Sequence, residues 1–194
     1  SLLISMVRAE RTATSREPLS VKVLLAGFSY MRRNPIVLGV ITLGLFAVIL
    51  GGVFALLPIF ARDIFAAGPW GLGLLRASPG LGALTAAIIM AHRPLRRRIG
   101  RIMFGAVAVY GTAIIVFALS RSFVLSMVLL AILGAADMIS VVIRMTLIQL
   151  ETPDDMRGRV SSVNSLFVTA SNQLGDFRAG LMAAWLGVIP AVMV

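Results

Sequence analysis

Residues 34–61 pass without a single charged side chain, and so do residues 102–120. Nothing else in the chain restricts its fold as much. A helix needs roughly 17–25 mostly apolar residues to cross a bilayer, and both runs meet that length. Shorter charge-free runs cover residues 77–91, 122–136, 160–175 and 179–194. Several of these reach spanning length only by taking in one or two charges, so those charges matter. Composition agrees. Of the 194 residues 59% are hydrophobic and 13% are charged, whereas about a quarter are charged in a soluble domain. The chain reads as an all-α integral membrane protein.

The spans are drawn over residues 35–60, 70–91, 102–120, 123–147, 160–180 and 182–194, the last one cut short. Residues 1–7 read as the end of an earlier span, and residues 8–34 as a loop. Within that loop Val21, Leu24, Leu25, Phe28 and Met31 fall at helical spacing, with Lys22, Ser29, Arg32 and Arg33 largely elsewhere. That pattern suits either a basic helix along a membrane surface or a short helix packed on neighbouring protein. Both chain ends lie in apolar stretches with no initiator Met and no signal peptide. The chain is therefore expected to be an internal piece of a longer membrane protein.

Charge placement orients the array, because basic residues collect on the cytoplasmic side of a membrane. Arg8, Arg11, Arg16, Lys22, Arg32 and Arg33 precede the first span. Arg93, Arg96, Arg97, Arg98 and Arg101 follow the second, and Arg157 and Arg159 follow the fourth. The opposite loops hold only Arg62 and Arg121. Loops 8–34, 92–101 and 151–159 are thus expected in the cytoplasm. Trp70 and Trp185 fall near the outer ends of spans, as an aromatic belt expects. The net charge of +10 is then a matter of topology, and no nucleic-acid partner is expected.

Enzyme signatures are missing. Lys22 is the only lysine and His92 the only histidine, so neither a phosphate-binding P-loop nor an H-E-x-x-H zinc site can be built. No cysteine is present, and no cofactor or metal site is expected. The Gly175-Asp176 pair has no second acid suitably placed beside it.

Ionisable groups inside a span cost about 2.5–3.5 kcal/mol each, so they usually face a partner or a water-filled cavity. Asp137 falls near the middle of the fourth span. Arg144 follows two turns later on nearly the same face. Asp137 reads either as a protonation or substrate-coupling carboxylate or as a structural acid bonded to a neighbouring helix. Arg144 reads as a second cavity charge or as a group that snorkels or pairs with Glu151. Asp63, Arg76, Asp176 and Arg178 lie at similar depth near the outer face. They form an outer gate of ion pairs or reach separately to the interface. The stretch around Pro79 is rich in Gly and Ala, which lets helices pack closely.

The segment E-T-P-D-D-M-R-G-R-V, residues 151–160, joins the fourth and fifth spans. Thr152 is expected as the N-cap and Pro153 as the first helical residue, with Asp154 and Asp155 at the positive end of the helix dipole. Arg157 and Arg159 exceed what a helix start needs and are expected to latch the two spans. Gly158 leaves room for a close neighbour.

These motifs carry a resemblance. A-H-R-P-L-R-R-R-I-G-R, residues 91–101, and T-P-D-D-M-R-G-R-V-S-S-V-N-S-L-F, residues 152–167, resemble the C-terminal half of major facilitator superfamily transporters. The branch is that of the transmembrane secretion effectors and enterobactin-exporter-like proteins, and the resemblance covers essentially the whole chain. S-N-Q-L-G-D-F-R-A-G, residues 171–180, is similar to the eleventh span of that branch. One departure stands out. The family's loop carries an acid before Gly-Arg, whereas Gly100 and Arg101 follow only basic and apolar residues, so the family's acid-to-arginine latch is not carried over. The resemblance implies a six-helix half of a twelve-span fold that rocks against an N-terminal half around a midplane cavity. It further implies a multi-pass protein of a bacterial inner membrane that exports a drug, siderophore or metabolite, driven by protons. Import or uniport of a small solute, and a non-transporting membrane scaffold, stay open as alternatives.

Overall fold

In hydrocarbon no water is at hand to bond backbone N–H and C=O groups, and a helix satisfies them within one segment. The computed structural model describes residues 21–50, 52–93 and 99–193, and among these there are helices and no strand. The expected end of a preceding span, together with Arg8, Arg11, Arg16, Arg96, Arg97 and Arg98, lies outside the described residues. The helices are α1 (Val21–Arg33), α2 (Pro35–Leu50), α3 (Val53–Ile59), α4 (Gly68–His92), α5 (Ile99–Leu119), α6 (Phe123–Glu151), α7 (Asp154–Leu186) and α8 (Val188–Met193). Three of them, α4, α5 and α6, are both long and apolar enough to cross a membrane.

The run 34–61 does not make one straight helix. Its start is set by Asn34, whose Oδ1 accepts from the backbone N–H of Ile36 at 3.1 Å and of Val37 at 3.4 Å, and Pro35 stands at the first helical position, where its missing N–H costs nothing. The chain bends at Gly52, then α3 passes into a π-helical turn, Phe60–Ile64. A side chain at Gly52 would collide with the carbonyl of Gly175 on α7, so the bend brings two backbones together. At the other end α7 continues through residues 181 and 182, where the sequence reading separates two spans. It stops at Gly187, whose φ of +88° suits a residue without Cβ.

Helix α6 is the axis of the bundle. Both α4 and α5 pack along it, while α7 gathers α1, α2, α3 and α8. Two apolar clusters result. The larger one joins α3, α5, α6 and α8, with Phe60 and Phe117 at its centre, ring centroids 4.8 Å apart. The smaller one lies at the end that carries the basic residues. It joins Met31 of α1, Val37 and Ile41 of α2, Ile148 of α6, and Val160 and Val163 of α7. Trp70 and Trp185 stand at the opposite end, both strongly exposed.

Close approach decides the α4–α6 crossing. A Cβ placed on Gly82 would collide with the carbonyl of Ala131, and one on Gly134 with the carbonyl of Pro79. Each helix therefore supplies one glycine to the other's backbone, which is the packing that small residues permit in a bilayer. Gly80, one position from Pro79, has open space around it. Replacing Gly82 by Val is expected to cost about 1–3 kcal/mol of stability, the scale of overpacking, while Gly80→Ala leaves it unchanged or higher. Thermal unfolding of the full-length protein in detergent reads the difference.

Candidate functional site

Along α6, Ala136 belongs to the larger apolar cluster and Ile148 to the smaller one. Asp137, Ser140, Arg144 and Thr146 of α6 fall between them. There α2, α5 and α6 form a narrow cleft of about 10 Å³, lined by Gly44, Ala106, Val107, Tyr110, Ala136, Asp137, Ser140 and Arg144. Asp137 is exposed on its wall. Tyr110 and Ser140 are buried beside it, and Arg144 is 4% exposed.

Arg144 is an ordinary arginine in an unusual place. Among the described residues its Nε has no hydrogen-bond partner, although a buried charge normally needs one. Space for its guanidinium comes from α2: a Cβ on Gly44 would collide with Nη1 of Arg144. The missing side chain of one helix thus houses the charge of another. Asp137 and Arg144 stand two helical turns apart, and no ion pair joins them among the described residues. The cleft therefore holds an acid and a base on one wall, each open to a further partner. The sequence reading singled out Asp137 and Arg144 but not Gly44, Tyr110 or Ser140, which reach the cleft only through the packing of three helices.

The joint between α6 and α7 is built differently from the expectation. Thr152 does not cap α7. Its backbone is extended, it ends α6, and its buried hydroxyl has no hydrogen-bond partner. Pro153 takes the cap position instead of the first helical one, and its carbonyl accepts from the N–H groups of Met156 and Arg157, each at 3.0 Å. Asp154 and Asp155 stand in the first turn, as the dipole favours. Arg157 closes the joint. Its Nε donates to the carbonyl of Gln149 at 3.0 Å and of Thr152 at 3.1 Å, and its Nη1 pairs with Asp154 at 2.5 Å. One guanidinium so satisfies the free carbonyls at the end of α6 while gripping the first turn of α7.

The close neighbour expected at Gly158 is elsewhere, because nothing approaches that glycine within 4 Å. Instead α1 comes in on its own Gly27, where a Cβ would lie 2.9 Å from the carbonyl of Arg159 and from Cγ2 of Val163. Tyr30 donates its hydroxyl to the carbonyl of Glu151 at 2.5 Å, and the rings of Phe28 and Phe167 stand 6.2 Å apart. Of the two readings of residues 21–33, the structure displays the packed helix, with Arg32 and Arg33 turned to the exposed side.

Asp63 pairs with its neighbour Arg62, Nε to Oδ1 at 2.6 Å, and Arg76 and Asp176 are exposed. No ion pair joins Asp63, Arg76 and Asp176 among the described residues; Arg178 lies half-buried further along α7. In the basic loop, Arg93 ends α4 with its N–H on the carbonyl of Ile89. Gly100 and Arg101 open α5. The His92 ring donates from Nδ1 to the carbonyl of Ile88 at 2.9 Å, which ties it to its own helix. Among the described residues no three His, Asp or Glu side chains are grouped to hold a metal ion.

Comparison with known proteins gives the family. The transmembrane secretion effector family matches residues 2–194. Enterobactin exporter EntS of Escherichia coli O1:K1 / APEC is 32% identical over 173 residues, which cover 89% of this chain and 40% of the exporter. The same figures hold for enterobactin exporter EntS of Escherichia coli O139:H28 (strain E24377A / ETEC) and of Shigella boydii serotype 18 (strain CDC 3083-94 / BS512). The chain thus spans 40% of the length of these curated relatives. No solved structure matches it. An all-α chain with three membrane-length helices and a family match over nearly its whole length is a multi-pass membrane protein. It belongs to the transmembrane secretion effector family of the major facilitator superfamily.

Proposed function

We propose that the chain is the C-terminal half of a secondary transporter that exports a small molecule across the bacterial inner membrane by alternating access. The observation that carries this reading is the cleft of Asp137, Tyr110, Ser140 and Arg144, which lies between two apolar clusters inside the bundle. A transporter needs a polar station part-way across the membrane, and ionisable residues in such a place mark substrate and ion paths. The exporters among the relatives support the outward direction. On this reading the basic end faces the cytoplasm, and the N-terminal half supplies the facing wall of the cavity.

Asp137 carries the proton. It stands exposed on the cleft wall without an ion-pair partner among the described residues, so it is free to load on one side and release on the other. Asp137→Asn keeps the shape and removes the titration. In proteoliposomes of the full-length protein this variant is expected to lose efflux driven by a pH gradient by about the 10²–10⁴-fold typical of a removed proton-transfer group, with expression and unfolding temperature unchanged. Normal gradient-driven efflux by the variant would remove Asp137 from the mechanism.

Arg157 serves the rocking motion by keeping the ends of α6 and α7 together. Its bonds are partly exposed, so Arg157→Ala is expected to cost no more than about 1 kcal/mol in stability yet to slow transport several-fold. The Arg157→Ala, Arg159→Ala double variant should slow it at least as much. Transport at the unaltered rate in both variants leaves the joint a mere connection.

A further inference from the structure

Helices α4 and α5 both lean on α6, and between them near the basic end runs an apolar cavity of about 450 Å³. Ala87 and Met90 line it from α4, Ile99 from α5, and Met138, Val142 and Thr146 from α6. Its residues Met138, Val142 and Thr146 lie on a different face of α6 from Asp137 and Arg144. Among the described residues the hydroxyl of Thr146 is the one polar side chain in its lining. A water-soluble ligand would find almost nothing to bond there, whereas a hydrocarbon chain loses nothing by entering. Two methionines in the wall adapt to a flexible occupant. The surrounding surfaces of α4 and α5 are themselves apolar, with Ile88 51% and Phe104 66% exposed.

The charge at the mouth completes the description. Arg93 stands two residues beyond the lining residue Ala91, and Arg101 two residues beyond Ile99. Both are exposed, and neither forms an ion pair among the described residues. Arg93 thus stands at the end of α4 beside the greasy groove, while Arg101 lies about half a turn round α5 from Ile99 and reaches the basic end through its long, exposed side chain. Basic residues at such a place between membrane helices attract anionic lipid headgroups, and a guanidinium matches a phosphate with two parallel hydrogen bonds.

We propose that this groove is a binding site for one anionic phospholipid, with an acyl chain between α4 and α5 against α6 and the headgroup phosphate at Arg93 and Arg101. The site is separate from the transport cleft. A lipid seated there fills the space between two helices that both lean on α6, and so braces their relative position at the basic end.

Native mass spectrometry of the full-length protein in detergent tests this, with dioleoyl phosphatidylglycerol and dioleoyl phosphatidylcholine added in equal amounts. The expected result is one retained phosphatidylglycerol, favoured by about tenfold, the scale that two arginines near an anionic headgroup supply. R93Q/R101Q should remove the preference, and V142W, which fills the groove, should remove the retained lipid. Should V142W fail to fold, the R93Q/R101Q pair decides alone, because both side chains are exposed. Equal retention of the two lipids by the unaltered protein would mean ordinary annular lipid and overturn the proposal. A preference unchanged in R93Q/R101Q would overturn it as well. So would a dimer in place of bound lipid, lost in V142W, because the groove would then take a second copy of the chain.

Discussion

The crossing of α4 and α6 is the contact on which the rest of the bundle depends. Lipid tails are as apolar as leucine, so nothing like the hydrophobic effect in water presses these helices together. Their association comes from close contact, and contact is closest where side chains are absent. Gly82 under the carbonyl of Ala131, and Gly134 under that of Pro79, bring two backbones together twice within about one turn. Once α4 is fixed on α6, its far end near His92 is fixed too. The gap between α4 and α5 then follows, since both rest on α6 at different angles around it.

Polarity is placed with the same economy. Apolar clusters occupy both ends of the bundle, and the acid and base of α6 lie where the clusters stop. Arg144 fits only because Gly44 leaves a hole of the right size and place in α2. A guanidinium enclosed this way keeps its position with few bonds of its own.

How much of this was legible beforehand depends on whether a feature is local. Apolar runs with few or no charges mark α4, α5 and α6 because hydrocarbon solubility is a property of the segment alone. The amphipathic spacing of Val21 to Met31 marks α1, and the two intramembrane charges of α6 stand out in any reading. What was not legible depends on partners chosen in three dimensions. The break at Gly187 needed knowledge of where α7 meets α8. Thr152 is a good cap by type, but its hydroxyl is buried at the end of α6 and Pro153 stands in its place. Gly158 and Gly27 are equally small, yet only Gly27 meets a neighbour, because α1 approaches α7 from that side. Asp63 chose the adjacent Arg62 over more distant bases, as the shorter loop of chain would favour.

The seat of α1 has a mechanical consequence. Its 13 residues make a rod about 20 Å long, pinned at Tyr30 to the end of α6 and at Gly27 and Phe28 to the start of α7. A slack tether would let the preceding chain wander independently of these helices. A pinned rod works as a lever arm: a tilt of a few degrees in α7 sweeps the far end of α1, near Val21, through a larger arc. The small motions of two buried helices gain reach at the surface in this way.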